Sequence, residues 1–366
     1  MYRDDFLQKK LNERRENKSL RQLSVSLDTA DFCSNDYLGI VKNSKLHPDC
    51  SGPNSQLSSG ATGSRLLSGN YPLIEEVEKQ IAHFHQSDTA LIFNSGYDAN
   101  IGLLASVPQK GDTILYDQLC HASIRDGIRL SFANAFSFAH NDMADLAKKI
   151  EHATGNIFIV TESVFSMDGD QCPLAELVAI AEKYTAHLII DEAHATGVIG
   201  SKGEGLVQAM NMQQHVFARI HSFGKACGCH GAVVLGSLAL RDYLINFARS
   251  FVFSTALPEQ AVAAISASYE VFQGMHAERA QLQQLIKQFQ AARISHEKLV
   301  SSTPIQIVVI PGNEAVKNVA ERLQQNGLDA RAILYPTVPK GKERLRIVLH
   351  AFNTSEEVDK LVLLLT

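Results

Sequence analysis

Lys225 sits in the run His221-Ser222-Phe223-Gly224-Lys225-Ala226-Cys227-Gly228, between an apolar stretch at 216–220 and another at 231–236. Asp191 closes an earlier apolar run, Leu188-Ile189-Ile190-Asp191. A primary amine on a glycine-flanked turn between strands can form an imine with an aldehyde. An acid at a strand end can keep a heterocyclic nitrogen protonated, so that the ring draws electrons. Those are the two demands of pyridoxal phosphate chemistry, and the pair predicts that cofactor. A loop lysine taken alone is usually solvated; the flanking glycines and the Asp191 partner reverse that preference here.

Further candidates follow the same logic. Asn94-Ser95-Gly96-Tyr97 leaves one strand and opens a helix, where backbone N–H groups and the helix dipole favour an anion; without a Gly-x-Gly-x-x-Gly pattern, one phosphate is the economical ligand. His121, just past a strand, offers a flat ring for stacking, although a capping role is the more common fate of such a histidine. His194 follows Asp191 by three residues and can reach a ring oxygen. Ser166, in the turn from Glu162 to Asp170, can serve a substrate or cofactor oxygen, whereas Asp168 and Asp170 lack the remaining positions of a calcium loop. Arg344 and Arg346 alternate along an expected strand and share a face. The pattern leaves a carboxylate-gripping fork and a solvated strand face equally open. Neither the acid–histidine pair nor the six cysteines (Cys33, Cys50, Cys120, Cys172, Cys227 and Cys229) form a metal-ligand pattern, so no metal is expected.

These groups need rigid carriers. Apolar runs at 89–93, 113–116, 135–138, 157–161, 187–191, 216–221 and 232–235 read as strands, most separated by helix-length segments. That alternation predicts an α/β fold with a mainly parallel sheet, and the short link between the last two runs predicts one antiparallel pairing at the edge. A helix is expected from Pro72, an amphipathic helix over 4–20, a short strand over 32–40 and a Gly/Ser-rich, mobile loop over 51–63. From 259 to 297 the pattern is helical, followed by strands at 306–310, 330–334 and 345–349 and helices at 315–326 and after Thr354, which reads as a smaller α+β domain. The expected division is an N-terminal segment 1–50, a large cofactor-binding domain 51–262 and a small domain 263–366.

The chain has 366 residues, 45% hydrophobic and 20% charged, with a net charge of −5; nothing in that balance calls for nucleic acid or an anionic membrane as partner. Residues 1–20 are charged throughout and no run of about 18 apolar residues occurs, so no leader, no membrane span and a cytoplasmic location with free thiols are expected.

Taken in order along nearly the whole chain, several segments together resemble the α-oxoamine synthase family of fold-type-I pyridoxal-phosphate transferases. They are Ser34-Asn35-Asp36-Tyr37-Leu38-Gly39, residues 63–69, 94–97, His121-Ala122-Ser123, 161–170, 191–197, Ser222-Phe223-Gly224-Lys225 and Arg344-Leu345-Arg346. The resemblance implies that Lys225 carries the imine, Asp191 pairs with the ring nitrogen, His121 stacks on the ring and His194 reaches its phenolic oxygen. It implies that Ser95, Gly96, Tyr97 and Ser222 hold the phosphate, with Thr255 reaching it from a second subunit of a homodimer. It also implies Arg346 on the amino-acid carboxylate, Asn35 beside the substrate and Arg21 near the acyl-chain end. The implied reaction is a decarboxylating condensation of an amino acid, L-alanine for the nearest pattern, with an acyl thioester, a pimeloyl group on coenzyme A or acyl carrier protein. Relatives with other substrates and a noncatalytic member of the fold are the alternatives; intact Lys225, Asp191, His121 and Arg346 argue against the second.

Overall fold

The computed structural model describes residues 3–23, 25, 29–46 and 57–366. Cys50 and residues 51–56 of the loop expected over 51–63 lie outside the described residues. The elements run α1 (Asp5–Glu16), β1 (Ala30–Asp31), α2 (Pro72–Phe84), β2 (Thr89–Phe93), α3 (Gly96–Ser106), β3 (Thr113–Asp117), α4 (Ala122–Leu130), β4 (Asn134–Phe138) and α5 (Met143–Ile150). Then come β5 (Ile157–Glu162), α6 (Leu174–Lys183), β6 (His187–Asp191), α7 (Leu206–Ala209), β7 (Ala218–Ser222), β8 (Ala232–Gly236), α8 (Leu238–Phe247), α9 (Arg249–Val252), α10 (Glu259–Gln273) and α11 (His276–Ala291). The chain finishes with β9 (Glu297–Lys298), β10 (Ile305–Val309), α12 (Asn313–Gln325), β11 (Leu328–Asp329), β12 (Arg331–Ile333), β13 (Arg344–Val348) and α13 (Ser355–Leu365).

The backbone packs into two compact units, one of residues 38–166 and 171–277, the other of 1–37, 167–170 and 278–366. In the first, seven strands lie in the order β2-β8-β7-β6-β5-β3-β4. All pairings are parallel except those of β8, which is antiparallel to β7 and to β2. The architecture is therefore the expected α/β fold with a mainly parallel sheet, with one correction: β8 lies inside the sheet and β2 takes the edge. Residues 90–93, 158–162 and 188–191 are buried without alternation, as strands covered on both faces must be. On one face Leu103, Ile124, Leu244 and Phe251 pack on Phe93, Ile114, Val160, Ile189 and Ile220.

Local chemistry fixes several helix starts. Pro72 occupies the first turn of α2, and Asp142 accepts from Ala144 N and Asp145 N to start α5. Thr354 and Glu357 form a reciprocal capping box on α13.

The second unit holds an antiparallel four-stranded sheet, β12-β13-β10-β9, and a two-stranded parallel pair of β1 with β11. The strand expected over 32–40 is not formed. Among the described residues there, the ladder is limited to Ala30 and Asp31, and the following residues bend and turn while burying Phe32 and Tyr37, then Leu38 and Ile40 where the chain enters the first unit. These apolar residues are buried by turns rather than by a ladder. The expected continuous helix over 259–297 breaks at Gly274 into α10 and α11 and ends at Ala291.

Candidate active site

In a parallel sheet the carboxyl ends of the strands meet the helix N-termini, and side chains for chemistry collect there. Asp191 ends β6, and its partner in β5, in direct register, is Glu162. Ser222 ends the neighbouring β7. Because β8 is antiparallel, the chain leaves β7 through a hairpin turn, and Lys225 rides on that turn, half-buried. The turn after Asp191 packs against it. Gly197 has φ +80°, and a Cβ there would lie 2.7 Å from the Ala226 Cβ, so only glycine lets the two turns approach. Reversal at β8 also returns β2 parallel to β7, so Gly96 faces Ser222: an added Cβ at Gly96 would sit 3.5 Å from Ser222 Oγ.

Asp191 is buried, with both oxygens engaged: Oδ1 accepts from Ala193 N at 2.9 Å and Oδ2 from Asn100 Nδ2 at 2.8 Å. His121 caps α4. Its backbone N–H donates to Glu162 Oε1 at 2.6 Å, and its ring Nδ1 lies 2.8 Å from Ser123 Oγ and accepts from Ser123 N at 3.2 Å. Burial holds the His121 imidazole below its ordinary pKa; Asp191 opposes this, while Lys225 and Arg125 add to it. Glu162 is pushed up to about 8, by burial first and then by the Asp191 carboxylate, with the Lys225 charge pulling the other way. The Lys225 ammonium thus acts on both His121 and Glu162, and Asp191 acts on both as well.

Ser95 is the N-cap of α3: its hydroxyl accepts from Asp98 N at 3.0 Å and donates to Asp98 Oδ2 at 2.8 Å. The Tyr97 ring meets His121 edge-on at 6.2 Å, and its hydroxyl donates to Asp126. His194 is buried in the turn after β6, and Ser166 is half-buried in the turn after β5. Thr255 is exposed; its carbonyl accepts from Asn94 Nδ2 at 2.7 Å, beside the start of α3.

In the second unit Arg346 Nη2 donates to Asn35 Oδ1 at 2.9 Å, and the Tyr37 hydroxyl donates to the same oxygen at 3.1 Å. Burial pushes the Tyr37 phenol up to about 12. Arg344 is buried and ion-paired with Asp168 at 2.6 Å, so a solvated strand face does not describe these arginines. Arg21 Nη2 donates to Thr337 Oγ1 at 2.9 Å. Among the described residues no cluster of three or more His, Cys, Asp or Glu side chains suits a metal ion.

Three participants have no counterpart among the residues chosen from sequence: Asn100, Ser123 and Glu162. Glu162 had a visible signal, an acid closing a buried apolar run beside a second such run. Asn100 had none, because its partner Asp191 lies far away in sequence, and Ser123, two residues from His121, reads as an ordinary first-turn helix residue until Asn100 is seen beside it.

This donor set fits a phosphorylated aromatic aldehyde. Lys225 would supply the amine and Asp191 an acceptor-only carboxylate for a ring N–H. His121 would supply a flat face, and Ser222 and the first-turn N–H groups of α3 would supply phosphate donors, joined by Ser95 once its hydroxyl turns from Asp98.

The model of the aminotransferase class I and II family matches residues 28–364. The chain belongs to that family. Among curated members it is 38% identical, over 98% of its length and 94% of the relative, to 8-amino-7-oxononanoate synthase of Emericella nidulans. It is 39% identical, over 90% of its length and 86% of the relative, to the protein of that name from Lysinibacillus sphaericus. These relatives place this aminotransferase-family chain in the α-oxoamine synthase branch, as an acyltransferase-type enzyme. Of solved structures, a Sphingomonas wittichii serine palmitoyltransferase superposes with a TM-score of 0.89 at 25% identity, covering 100% of this chain and 97% of that one. An 8-amino-7-oxononanoate synthase from Francisella tularensis superposes at 0.79 with 28% identity, covering 92% and 96%. No helix among the described residues of this family member is long and apolar enough to cross a membrane.

Proposed function

We propose that this chain is a pyridoxal-phosphate-dependent 8-amino-7-oxononanoate synthase. It joins the Cα of L-alanine to the carbonyl carbon of a pimeloyl thioester, with loss of carbon dioxide and release of the thiol of coenzyme A or acyl carrier protein. The observation that carries this reading is the placement of Asp191 at the end of β6 and of Lys225 on the turn that leaves the neighbouring β7, with the turns that follow the two strands packed together at Gly197 and Ala226. The identity to two synthases of that name supports the substrate assignment.

When bound, the cofactor supplies an aldehyde carbon for an amine and an electron-withdrawing ring. The protein supplies the rest. Lys225 Nζ takes the substrate Cα proton as general base. Asp191 holds negative charge against the ring nitrogen, and its two hydrogen bonds fix the carboxylate in that orientation. His121 presents its ring face, and His194 is the donor assigned to the phenolic oxygen. Ser95, Gly96, Tyr97 and Ser222 take the phosphate, and Ser166 is assigned to a cofactor or substrate oxygen. Arg346, oriented by Asn35, takes the amino-acid carboxylate as a planar fork. Arg21 serves the far end of the acyl chain, and Thr255 serves the phosphate across a homodimer interface. A cytoplasmic location belongs to the same reading.

The resemblance in fold to a serine palmitoyltransferase supports a second reading, condensation of serine with a longer acyl thioester. A panel of amino acids crossed with acyl thioesters of several lengths, scored by thiol release and by the mass of the α-amino ketone, separates them. L-alanine with the pimeloyl thioester should dominate. Turnover of serine with a long-chain thioester, without turnover of alanine, overturns the assignment.

A further inference from the structure

Asp191 and His121 are joined by a continuous run of hydrogen bonds through two side chains that no mechanism above employs. Asn100, on α3 and only 2% exposed, donates from Nδ2 to Asp191 Oδ2 at 2.8 Å and to Ser123 Oγ at 3.0 Å. The amide orientation follows from chemistry, because a carboxylate can only accept and so the NH2 must face it. Asn100 Oδ1 is buried with no hydrogen-bond partner among the described residues, so the donor side of the amide alone holds it in place.

The backbone then sets the remaining direction: the Ser123 hydroxyl could accept twice, but the Ser123 N–H that points at His121 Nδ1 can only donate. With its oxygen accepting from Asn100, the Ser123 hydroxyl can give its proton to His121 Nδ1 at 2.8 Å. Ser123 N also donates to that nitrogen at 3.2 Å. A ring nitrogen that receives two donors carries no proton, so the imidazole is neutral and its proton is on Nε2. The charged groups acting on this ring are Asp191, Lys225, Arg125 and Asp126. Asp191 and Asp126 favour imidazolium, while burial, Lys225 and Arg125 disfavour it.

We propose that Asn100 and Ser123 are positioning residues: together they tie the His121 ring to the Asp191 carboxylate and hold it as the Nε2-protonated neutral tautomer. The reason to build such a link is electrostatic. An imidazolium stacked on an electron-poor ring would repel the protonated ring nitrogen that Asp191 is there to stabilise. A neutral ring adds dispersion without that repulsion. This assignment rests on reading Asp191 and His121 as the pair that addresses the cofactor ring, and its first test does not depend on turnover.

Imidazole nitrogen shifts of ¹⁵N-histidine-labelled protein, recorded with and without pyridoxal phosphate, report the tautomer directly. His121 should show an Nε2-proton, Nδ1-acceptor pattern across neutral pH in both forms. Ser123→Ala, which leaves only the backbone N–H of residue 123 on Nδ1, should move the His121 nitrogen shifts toward the Nδ1-proton form or imidazolium, and Ser123→Thr, which keeps the hydroxyl, should restore the wild-type pattern. Asn100→Ala should lower kcat about tenfold, the cost of one hydrogen bond to a charged group, with KM for the amino acid little changed. Wild-type protein with the proton on Nδ1, or Ser123→Ala with unaltered His121 nitrogen shifts, overturns the proposal without touching the reading of the substrates. An amino-acid panel that excludes alanine defeats the substrate reading and leaves this one standing.

Discussion

Asn35 Oδ1 lies 2.9 Å from Arg346 Nη2 and receives the Tyr37 hydroxyl as well. At least one N–H donor of the guanidinium is engaged by a neighbour that is itself pinned, and this helps to set the plane of the fork. Arg346→Lys keeps the charge and loses that planar geometry. It should raise KM for the amino acid on the order of a hundredfold, as expected for two charge-assisted hydrogen bonds. Asn35→Ala should raise it about tenfold. Steady-state kinetics with varied amino acid measure both, and a wild-type KM in Arg346→Lys would mean that the carboxylate binds elsewhere.

Lys225→Ala should leave turnover at background, because a general base contributes at least about a hundredfold and the imine-forming amine is lost with it. Borohydride reduction of the cofactor-loaded wild type, followed by peptide mass spectrometry, should find the added mass on the peptide holding Lys225. Label on another lysine would move the assignment. Asp191→Ala should slow proton removal by about two to three orders of magnitude. An unchanged rate in Asp191→Ala would reject its role.

Glu162 brings a pH signature. Its folded pKa of about 8 lies above the ordinary 4.5, so between those values the unfolded chain has released a proton that the folded chain keeps. Stability must then fall as pH rises through that window. Glu162→Gln removes the titration and can still accept from His121 N. Its unfolding midpoint in denaturant, relative to wild type without cofactor, should improve steadily from pH 4.5 toward pH 8. A difference that does not vary with pH would show that Glu162 is ionised throughout.

Arg65 and Glu78 form a buried ion pair at 2.7 Å, and Glu78 Oε1 also accepts from Ile92 N at 2.9 Å. Removing the cation strands a carboxylate in the core. Arg65→Ala should cost about 3 kcal/mol of unfolding free energy, and Arg65→Lys much less. Chemical denaturation monitored by circular dichroism decides it, and a loss below about 1 kcal/mol would mean that Arg241, at 3.5 Å from Glu78, takes over.

Some of this architecture is legible in the sequence. Unbroken apolar runs such as Leu188-Ile189-Ile190 announce strands covered on both faces, and an acid at the end of such a run announces a group facing a site. Pro72, Ser95 and Thr354 mark helix starts through chemistry that needs no tertiary context. Where the reading failed, long-range partners decided. Whether β8 lies inside the sheet depends on its pairing with β2, well over a hundred residues earlier in the chain, and no local pattern encodes it. Residues 32–40 look like a strand because they must be buried, yet turns bury them equally well. Asn100 reads as an ordinary helix residue until Asp191 is seen 2.8 Å away.

The β7–β8 hairpin carries one further lesson, for anyone who would remodel this protein. Ser222 and Ala232 are paired across the ladder, and Phe223 N is bonded to Gly231 O, so the segment bearing Lys225 is clamped at both feet by the two strands. It behaves like a bracket of fixed span. Lengthening or shortening it by a single residue would swing the amine off its bearing, since neither foot can slide without breaking the ladder. Sequence grafts belong in other loops, and a lysine moved one place along this bracket should not recover what Lys225→Ala loses.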